Sequence, residues 1–172
     1  MDHPSTTADP IGWRQATFAD VDAICMIERE VHPLLQERPE VHGEKIRLFE
    51  EGCCVFVDRA TVLGYAAAYP WRSDDVPLID TLFGTLPMAT DCMFIHDVAL
   101  LPVARGRGYG RAFVQRIAGL ARGRNLTRLA LVSVYGTVPV WRTLGFEIET
   151  AVPSAKFEAY GETARYMRRD LN

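Results

Sequence analysis

The sequence predicts an α/β (α+β) fold, a single soluble domain in which helices flank a β-sheet. Short apolar runs typical of strands alternate with helix-type patterns along the 172 residues. Past mid-chain, the strand-like run Phe94–Leu101 leads into a glycine-rich turn, Arg105–Gly110, and then into a helix with one apolar face. A hydrophobic content of 48% gives a chain of this length enough apolar side chains for a real core.

The chain begins with a short predicted strand and a capped helix. Residues 13–16 read as the strand. Thr17 and Asp20 form a capping-box pattern, and apolar residues then recur at helical spacing. His32-Pro33 should end this helix, because the residue before a proline disfavours helical backbone.

A second helix and a pair of strands follow. Pro39 suits the first turn of the helix, and Gly52 is expected to stop it. The ranges 53–57 and 62–69 are typical of strands, and the short turn between them predicts a β-hairpin.

The second half predicts three more strands and a short helix. Leu129–Val134 is nearly all apolar, as expected for a strand buried on both faces. Thr137 can cap a short helix that Gly145 ends. Phe146–Val152 alternates between apolar and polar residues, and Ala164–Leu171 should close the sheet.

Composition narrows the class of protein. A net charge of −3 argues against general nucleic-acid binding, which needs a strongly basic surface. Residues 1–12 lack the pattern of a signal peptide and are expected to be a flexible tail before a domain at 13–172, and no run is long enough to span a membrane. The cysteines show no metal-ligand spacing, which favours reduced thiols in a cytoplasmic protein without a metal: Cys25, Cys53, Cys54 and Cys92.

The glycine-rich turn between strand and helix is typical of an anion site. Glycines allow a phosphate to approach the backbone, the first N–H groups of a helix lack internal partners, and nearby arginines add positive charge. A Walker loop is excluded because no lysine and hydroxyl residue follow Gly110. The dinucleotide fingerprint fails because Arg111 replaces its third glycine. A turn that merely connects two elements is the alternative.

The same turn resembles the pyrophosphate loop of the GNAT superfamily of acyl-CoA N-acyltransferases, written R/Q-x-x-G-x-G/A. Arg105–Gly110 matches every fixed position. Trp141–Phe146 is similar to the Y-x-x-x-G-F segment of that family, although Trp141 stands at the usual tyrosine position. The resemblance covers about residues 13–171 and implies a mixed, mostly antiparallel sheet of about seven strands. Its order is one strand, two helices, three strands, a helix, a strand, a helix and two strands.

The family resemblance also implies an activity. It implies an N-acetyltransferase that moves an acetyl group from acetyl-CoA to a primary amine, of a small molecule or a protein, by direct attack in a ternary complex. Because Trp141 replaces the usual tyrosine, a non-catalytic acyl-CoA-binding or sensor module of the same fold is an alternative. A nucleotide-dependent enzyme that shares only the glycine turn is a third reading. The resemblance places these residues around the cofactor: Val98, Ala99, Leu100, Arg105, Gly106, Arg107, Gly108, Tyr109, Gly110, Arg111 and Trp141.

Three residues are candidates for proton transfer. The general base of the family projects from the strand face that carries His96, and a histidine pKa suits that task. Asp97 is the reserve candidate for the general base. Strict alternation along the strand would place its side chain on the opposite face from His96. Tyr135 could supply the general acid. Each has a structural alternative. His96 could be a hydrogen-bonded core histidine, Asp97 a buried carboxylate bonded to neighbouring backbone or an arginine, and Tyr135 an ordinary half-buried strand-end tyrosine. Cys92 is expected to be an inert buried thiol.

The irregular stretch 70–91 is long for a connection inside one domain. Its apolar residues predict that it folds over the cleft near the thioester. Its acids, Asp74, Asp75 and Asp80, suggest a cationic amine acceptor, with the alternative that they only keep the loop soluble. A homodimer is among the options for the oligomeric state.

Overall fold

A seven-stranded sheet with helices on both faces forms the protein, in a computed structural model that describes residues 11–171. Most of the elements predicted from the sequence are present in the predicted order. They are β1 (Gly12–Gln15), α1 (Val21–Val31), α2 (Pro39–Leu48), β2 (Cys53–Asp58), β3 (Thr61–Trp71), β4 (Cys92–Leu100), α3 (Tyr109–Gly123), β5 (Arg128–Ser133), α4 (Val138–Arg142), β6 (Glu147–Ile148) and β7 (Arg165–Asp170).

The strands lie in the order β1-β2-β3-β4-β5-β7-β6. All neighbours are antiparallel except β4 and β5, which are parallel. This confirms the predicted mixed, mostly antiparallel sheet. The parallel pairing joins only Met93–Ile95 to Leu129–Leu131. Beyond these residues β4 and β5 separate, and the gap between them positions the functional site.

The helices bury both faces of the sheet. On one face α1 and α2 cover a cluster that includes Ile24, Ile27, Ile46, Val55, Tyr65 and Ala99. On the other face α3 packs its apolar stripe into the larger cluster, which includes Phe113, Ile117, Ala66, Ala68, Ile95 and Leu131. The apolar spacing of α3 thus buries one side of the helix and leaves its polar side to solvent.

The start of α1 confirms the capping prediction. The Asp20 carboxylate accepts a hydrogen bond from the Thr17 backbone N–H at 2.8 Å. It also pairs with the Arg14 guanidinium at 2.7 Å, and this contact lowers the Asp20 pKa. A single turn of 3₁₀ helix at 18–20 lies between the cap and α1.

Two predicted boundaries are wrong. Helix α2 ends at Leu48 and not at Gly52, which instead packs so closely that an added Cβ would lie 2.0 Å from the Ala68 carbonyl oxygen. The strand predicted at 146–152 spans only Glu147–Ile148. It ends there because the next side chain, Glu149, accepts the Ala151 N–H at 2.8 Å and turns the chain.

The predicted tail, residues 1–12, falls mostly outside the described residues, since residues 1–10 are not described and Gly12 already belongs to β1. Within residues 11–171, no helix combines the length and apolar character that a membrane crossing requires.

Candidate active site

A cleft of about 510 Å³ opens where β4 and β5 separate. Apolar side chains from both strands and from α4 form most of its wall. The polar groups at its edge are few and lie together. Its lining includes Val31, His32, His96, Asp97, Val98, Leu100, Arg105, Gly110, Val132, Tyr135, Val140 and Trp141. A mostly apolar cleft with a few convergent polar groups is typical of a small-molecule site.

The glycine turn lies at one end of the cleft. Gly106 and Gly108 have φ of +74° and +82°, a backbone conformation that favours glycine. Helix α3 begins directly after Gly108. Within the described part of the chain, no backbone N–H from 106 to 111 donates to a protein acceptor. These free N–H groups at a helix start can bind an anion.

The first turn of α3 is held from the far edge of the sheet. The Trp13 indole N–H donates to the Tyr109 carbonyl at 2.8 Å. The Tyr109 ring packs 4.1 Å from the Phe56 ring, centroid to centroid. Tyr109 therefore turns its ring into the protein and contributes its backbone to the glycine turn.

The three arginines around the glycine turn are exposed. Arg105 donates through Nε to the Leu100 carbonyl at 2.7 Å, which ties the turn to the end of β4. Arg111 donates to the Thr143 carbonyl at 3.2 Å. Among residues 11–171, the Arg107 side chain has no hydrogen-bond partner. All three keep positive charge near the free N–H groups.

The remaining residues predicted to bind the cofactor divide into two groups. Val98, Leu100 and Trp141 line the cleft, and the Trp141 ring packs edge-to-face on Phe146 at 5.5 Å. The Ala99 side chain is fully buried on the α1 face, away from the cleft. Only the Ala99 backbone could therefore contact a ligand.

A β-bulge at His96 corrects the predicted side-chain alternation. In the ladder with β3, Ala68 pairs with Ile95 and Ala67 pairs with Asp97, so His96 is the extra residue. Directly paired residues share a face of the sheet. The bulge therefore brings Asp97 to the same face as His96 and sends Val98 to the other. The prediction that His96 and Asp97 lie on opposite faces is wrong, because a bulge adds one residue to one strand only.

Both ring nitrogens of His96 are engaged. Nε2 lies 3.1 Å from the Glu37 carboxylate, and Nδ1 lies 2.9 Å from the Tyr69 hydroxyl. The other Glu37 oxygen pairs with the Lys45 ammonium, which is itself buried. Burial alone would raise the pKa of Glu37, but the charges of His96 and Lys45 lower it well below its ordinary value. His96 thus belongs to a buried, fully bonded network at the edge of the cleft.

Asp97 forms a second network beside the first. One Asp97 oxygen lies 2.8 Å from His32 Nε2, and the other accepts the Tyr65 hydroxyl. Burial opposes the charge of Asp97, yet His32 and the bonds from His32 and Tyr65 lower the Asp97 pKa. Burial also opposes charge on His32, but the Asp97 carboxylate raises the His32 pKa above its usual value. The Asp97 carboxylate is hydrogen-bonded, as the structural alternative predicts. Its partners are a histidine and a tyrosine, where backbone or an arginine was expected.

Tyr135 and Cys92 lie in contrasting surroundings. Tyr135 follows β5 with a left-handed φ of +52°, lines the cleft and stacks on the His32 ring at 5.6 Å. Burial raises the Tyr135 pKa, so the phenol stays protonated at neutral pH. The Cys92 side chain is fully buried, and burial raises its pKa to about 12. That environment suits an inert thiol, as expected from the sequence.

A small cavity of about 40 Å³ adjoins the cleft through His32, His96 and Asp97. Its wall also includes the Glu28 and Glu37 side chains. The small cavity and the cleft share five lining residues, which are His32, His96, Asp97, Val132 and Val134. This is the place where an acceptor and a thioester could meet.

The loop at 72–91 reaches only the small cavity, through Ile79, and contributes nothing to the lining of the main cleft. Its carboxylates pair with the chain's own cations. Asp80 binds Arg38 at 3.0 Å, and Asp74 and Asp75 lie within 3.6 Å of Arg72. These pairs are the contacts that a purely structural role would produce.

The sequence prediction missed the side chains that bind His96 and Asp97. In the sequence His32 marks only the end of a helix, and no motif distinguishes Glu37, Tyr65 or Tyr69. Each lies far along the chain from its partner. The one local signal was a histidine four residues after Glu28 at a helix end, where a positive charge is favoured.

Comparison with known proteins agrees with this architecture. A family model described as Acetyltransferase (GNAT) family matches residues 19–146. No curated protein sequence matches the chain at a significant level. The structure titled "GphF GNAT-like decarboxylase in complex with isobutyryl-CoA" has a TM-score of 0.76 at 16% identity, covering 93% of this chain and 99% of that one.

Two further solved structures resemble the chain. N-acetylglutamate synthase from Neisseria gonorrhoeae, complexed with coenzyme A and N-acetyl-glutamate, has a TM-score of 0.69 at 21% identity, covering 95% of this chain and 36% of that one. Arabidopsis thaliana Naa50, with the bisubstrate analogue CoA-Ac-MVNAL, has a TM-score of 0.67 at 11% identity, covering 92% and 97%. At these identities the similarity shows the fold alone.

Proposed function

Because the chain belongs to the acetyltransferase (GNAT) family, we propose that it is an N-acetyltransferase that moves an acetyl group from acetyl-CoA to a primary amine. One observation carries the proposal. A mostly apolar cleft between separating strands has free backbone N–H groups and three arginines at one end, and four titratable side chains at its edge. The N–H groups and arginines suit the phosphates of a CoA thioester, the apolar wall suits its pantetheine arm, and the titratable side chains would lie near its acyl carbon.

The donor would bind largely through backbone groups. The glycine turn would hold the pyrophosphate with its free N–H groups, supported by Arg105, Arg107 and Arg111. The pantetheine arm would follow the exposed edge of β4 at Val98–Leu100 as an added strand. Trp141 would pack beside that arm. Its indole N–H does not dissociate usefully, so it would not supply the proton for the leaving sulfur.

The reaction needs an amine that is neutral when it attacks. An alkyl ammonium with a pKa near 10.4 is neutral in only about one molecule in 2,500 at pH 7. A group in the site must therefore remove a proton, and the departing sulfur must gain one. Tyr135 lines the cleft with a protonated phenol and can serve as the acid. His96 and Asp97 remain the candidates predicted from the sequence for the group that removes a proton from the amine.

The ammonium group of the acceptor would lie at the small cavity, which has room for a group of that size. Three carboxylates line that cavity, Glu28, Glu37 and Asp97, which supports an acceptor that arrives as a cation. The acids of the 72–91 loop support this idea less, because Asp74, Asp75 and Asp80 pair with an arginine or lysine of the chain and line neither the cleft nor the small cavity. We also propose a cytoplasmic protein, since all four cysteines are buried and free.

A screen of primary amines with acetyl-CoA, read by release of free CoA and by the mass of the product, tests the proposal. Release that depends on the amine and yields its acetyl derivative supports it. CoA binding without product from any amine would support the sensor module that Trp141 keeps open. A decarboxylase shares this fold, so the same screen should include malonyl-CoA without an amine. Loss of CO₂ there would replace amine acylation by decarboxylation.

A further inference from the structure

We propose that His32 takes the proton from the attacking amine, with Asp97 as the residue that positions it. The inference rests on the proposed acyl transfer and names the base of that same site. Four observations point to it: the place of His32 on the cleft wall, its bond to Asp97, a nitrogen without a partner, and the stacked ring of Tyr135.

The geometry fixes which His32 nitrogen is available. Nε2 faces an Asp97 oxygen at 2.8 Å, and a carboxylate accepts hydrogen bonds, so Nε2 carries the proton. In the neutral ring the lone pair is therefore on Nδ1. Within residues 11–171, the buried Nδ1 has no hydrogen-bond partner. This nitrogen can accept a proton without breaking an existing hydrogen bond. It has almost no exposed surface, so the amine reaches it only when a neighbouring side chain moves aside.

His96 cannot do so in the same way. Its two nitrogens already face Glu37 and the Tyr69 hydroxyl. A proton from the amine would reach His96 only after one of those contacts broke. Asp97 is equally committed, because both oxygens are in hydrogen bonds to His32 and Tyr65. Of the three titratable groups shared by the cleft and the small cavity, His32 is the one with a polar side-chain atom that has no hydrogen-bond partner within residues 11–171.

The fold holds the His32 ring from three sides. His32 directly follows Val31, the last residue of α1, where the helix dipole favours positive charge. Its ring lies parallel to that of Tyr135, with an interplanar angle of 14°. Asp97 holds the opposite edge, and Tyr65 holds Asp97 in turn. A side chain fixed in this way loses little freedom when a substrate binds.

The step balances as follows. The ammonium form of the amine first loses one proton to solvent. The neutral amine nitrogen then forms a bond to the thioester carbonyl carbon, and one N–H proton passes to His32 Nδ1. The carbon–sulfur bond breaks, sulfur keeps its electron pair, and Tyr135 or water gives it a proton. His32 then returns its proton to Tyr135 or to solvent. The products are an amide and free CoA, and the enzyme is unchanged.

The charges that face His32 determine its pH response. Burial lowers its pKa, but the Asp97 carboxylate, its hydrogen bond and the Glu28 charge outweigh burial and the opposing Arg105 charge. Glu37 and His96 face it across the small cavity, and Tyr135 covers the ring. Activity that needs the neutral ring should therefore rise with pH through a pKa above the ordinary value of about 6.5. Removal of the Asp97 charge should move this limb to lower pH.

The decisive test compares His32→Gln with His96→Gln and His42→Gln, using acetyl-CoA and the best amine from the screen. His32→Gln should lower kcat by roughly 10²–10⁴-fold, the usual effect of general base catalysis, and abolish the acidic limb of the pH profile. His96→Gln should keep that limb. His42, a buried histidine bonded to Glu28 at 3.2 Å, controls for simple loss of a buried ring. Acetyl-CoA affinity and thermal unfolding, measured for each variant, detect misfolding.

Nitrogen NMR of the unmodified protein gives a result that no folding defect can imitate. It should show His32 as the Nε2–H tautomer, with a pKa above about 6.5 that falls in Asp97→Asn. Loss of the acidic limb in His96→Gln but not in His32→Gln would overturn the assignment, as would an Nδ1–H tautomer. If the unmodified protein acylates no amine, the proposed function itself fails. If His32→Gln acylates at the normal rate, only the role of His32 fails.

Discussion

Gly108 offers the sharpest test of the glycine turn as the phosphate site. The residue has φ of +82° and directly precedes α3. A Cβ added there would meet no atom within 4 Å. Gly108→Val therefore introduces no clash in the free protein. Its effect on stability comes from the left-handed backbone, which costs about 1–2 kcal/mol for a residue with a side chain.

That strain has a measurable size. For a domain of this length, 1 kcal/mol shifts the melting temperature by about 2–4 °C, so Gly108→Val should melt roughly 2–8 °C lower. The valine would also extend into the open space where a pyrophosphate would approach. Loss of one charged hydrogen bond, worth about 1.5–3 kcal/mol, would weaken acetyl-CoA binding by about tenfold to a hundredfold.

Gly84 supplies a matched control. It has φ of +70°, and an added Cβ would again meet no atom within 4 Å, but it lies in the 72–91 loop. Gly84→Val should lose similar stability and keep full affinity for acetyl-CoA. Calorimetric titration and thermal melting of both variants give the comparison. Equal acetyl-CoA affinity in the two variants would refute the assignment of the glycine turn.

Three further predictions concern stability and proton transfer. Gly52→Ala should destabilise the fold by about 3 kcal/mol in urea unfolding, because the new Cβ would lie 2.0 Å from the Ala68 carbonyl oxygen. Gly119→Ala, on the exposed side of α3, is the control and should stabilise the fold by roughly 0.5–1 kcal/mol. The Glu37 pKa is lowered on folding, so its stabilisation is complete above the unfolded value of about 4.3 and is lost as pH falls below it. Glu37→Gln should cost about 3–5 kcal/mol at pH 7 and show a flatter decline in stability as pH falls below about 4.3, and an unchanged urea midpoint at pH 7 would contradict this. Tyr135→Phe should lower kcat without changing acetyl-CoA affinity, and a normal kcat would assign the proton on sulfur to water.

Features encoded by neighbouring residues could be predicted from the sequence. Asp20 lies three residues from Thr17, and their contact forms at the predicted place. The positive φ of Gly106 and Gly108 follows from glycine in a turn before a helix. The element order followed because strand and helix patterns depend on spacing within a few residues.

Features that depend on the partner strand could not be predicted. The bulge at His96 exists only relative to β3, and alternation along β4 alone gave the wrong face for Asp97. The contact between His32 and Asp97 joins residues 65 positions apart, so no local pattern encodes it. The candidate base, and with it the proton pathway, therefore depends on how α1 packs on the sheet and not on any local pattern.

Transfer of a labelled acetyl group tests the central claim most directly. The protein would be incubated with acetyl-CoA carrying ¹³C in the acetyl group and with the best amine from the screen, and both products would be followed by mass spectrometry. The account predicts that labelled amide and free CoA appear in equal amounts, at a rate that falls in His32→Gln. Free CoA without labelled amide, or label retained on the protein, would contradict it.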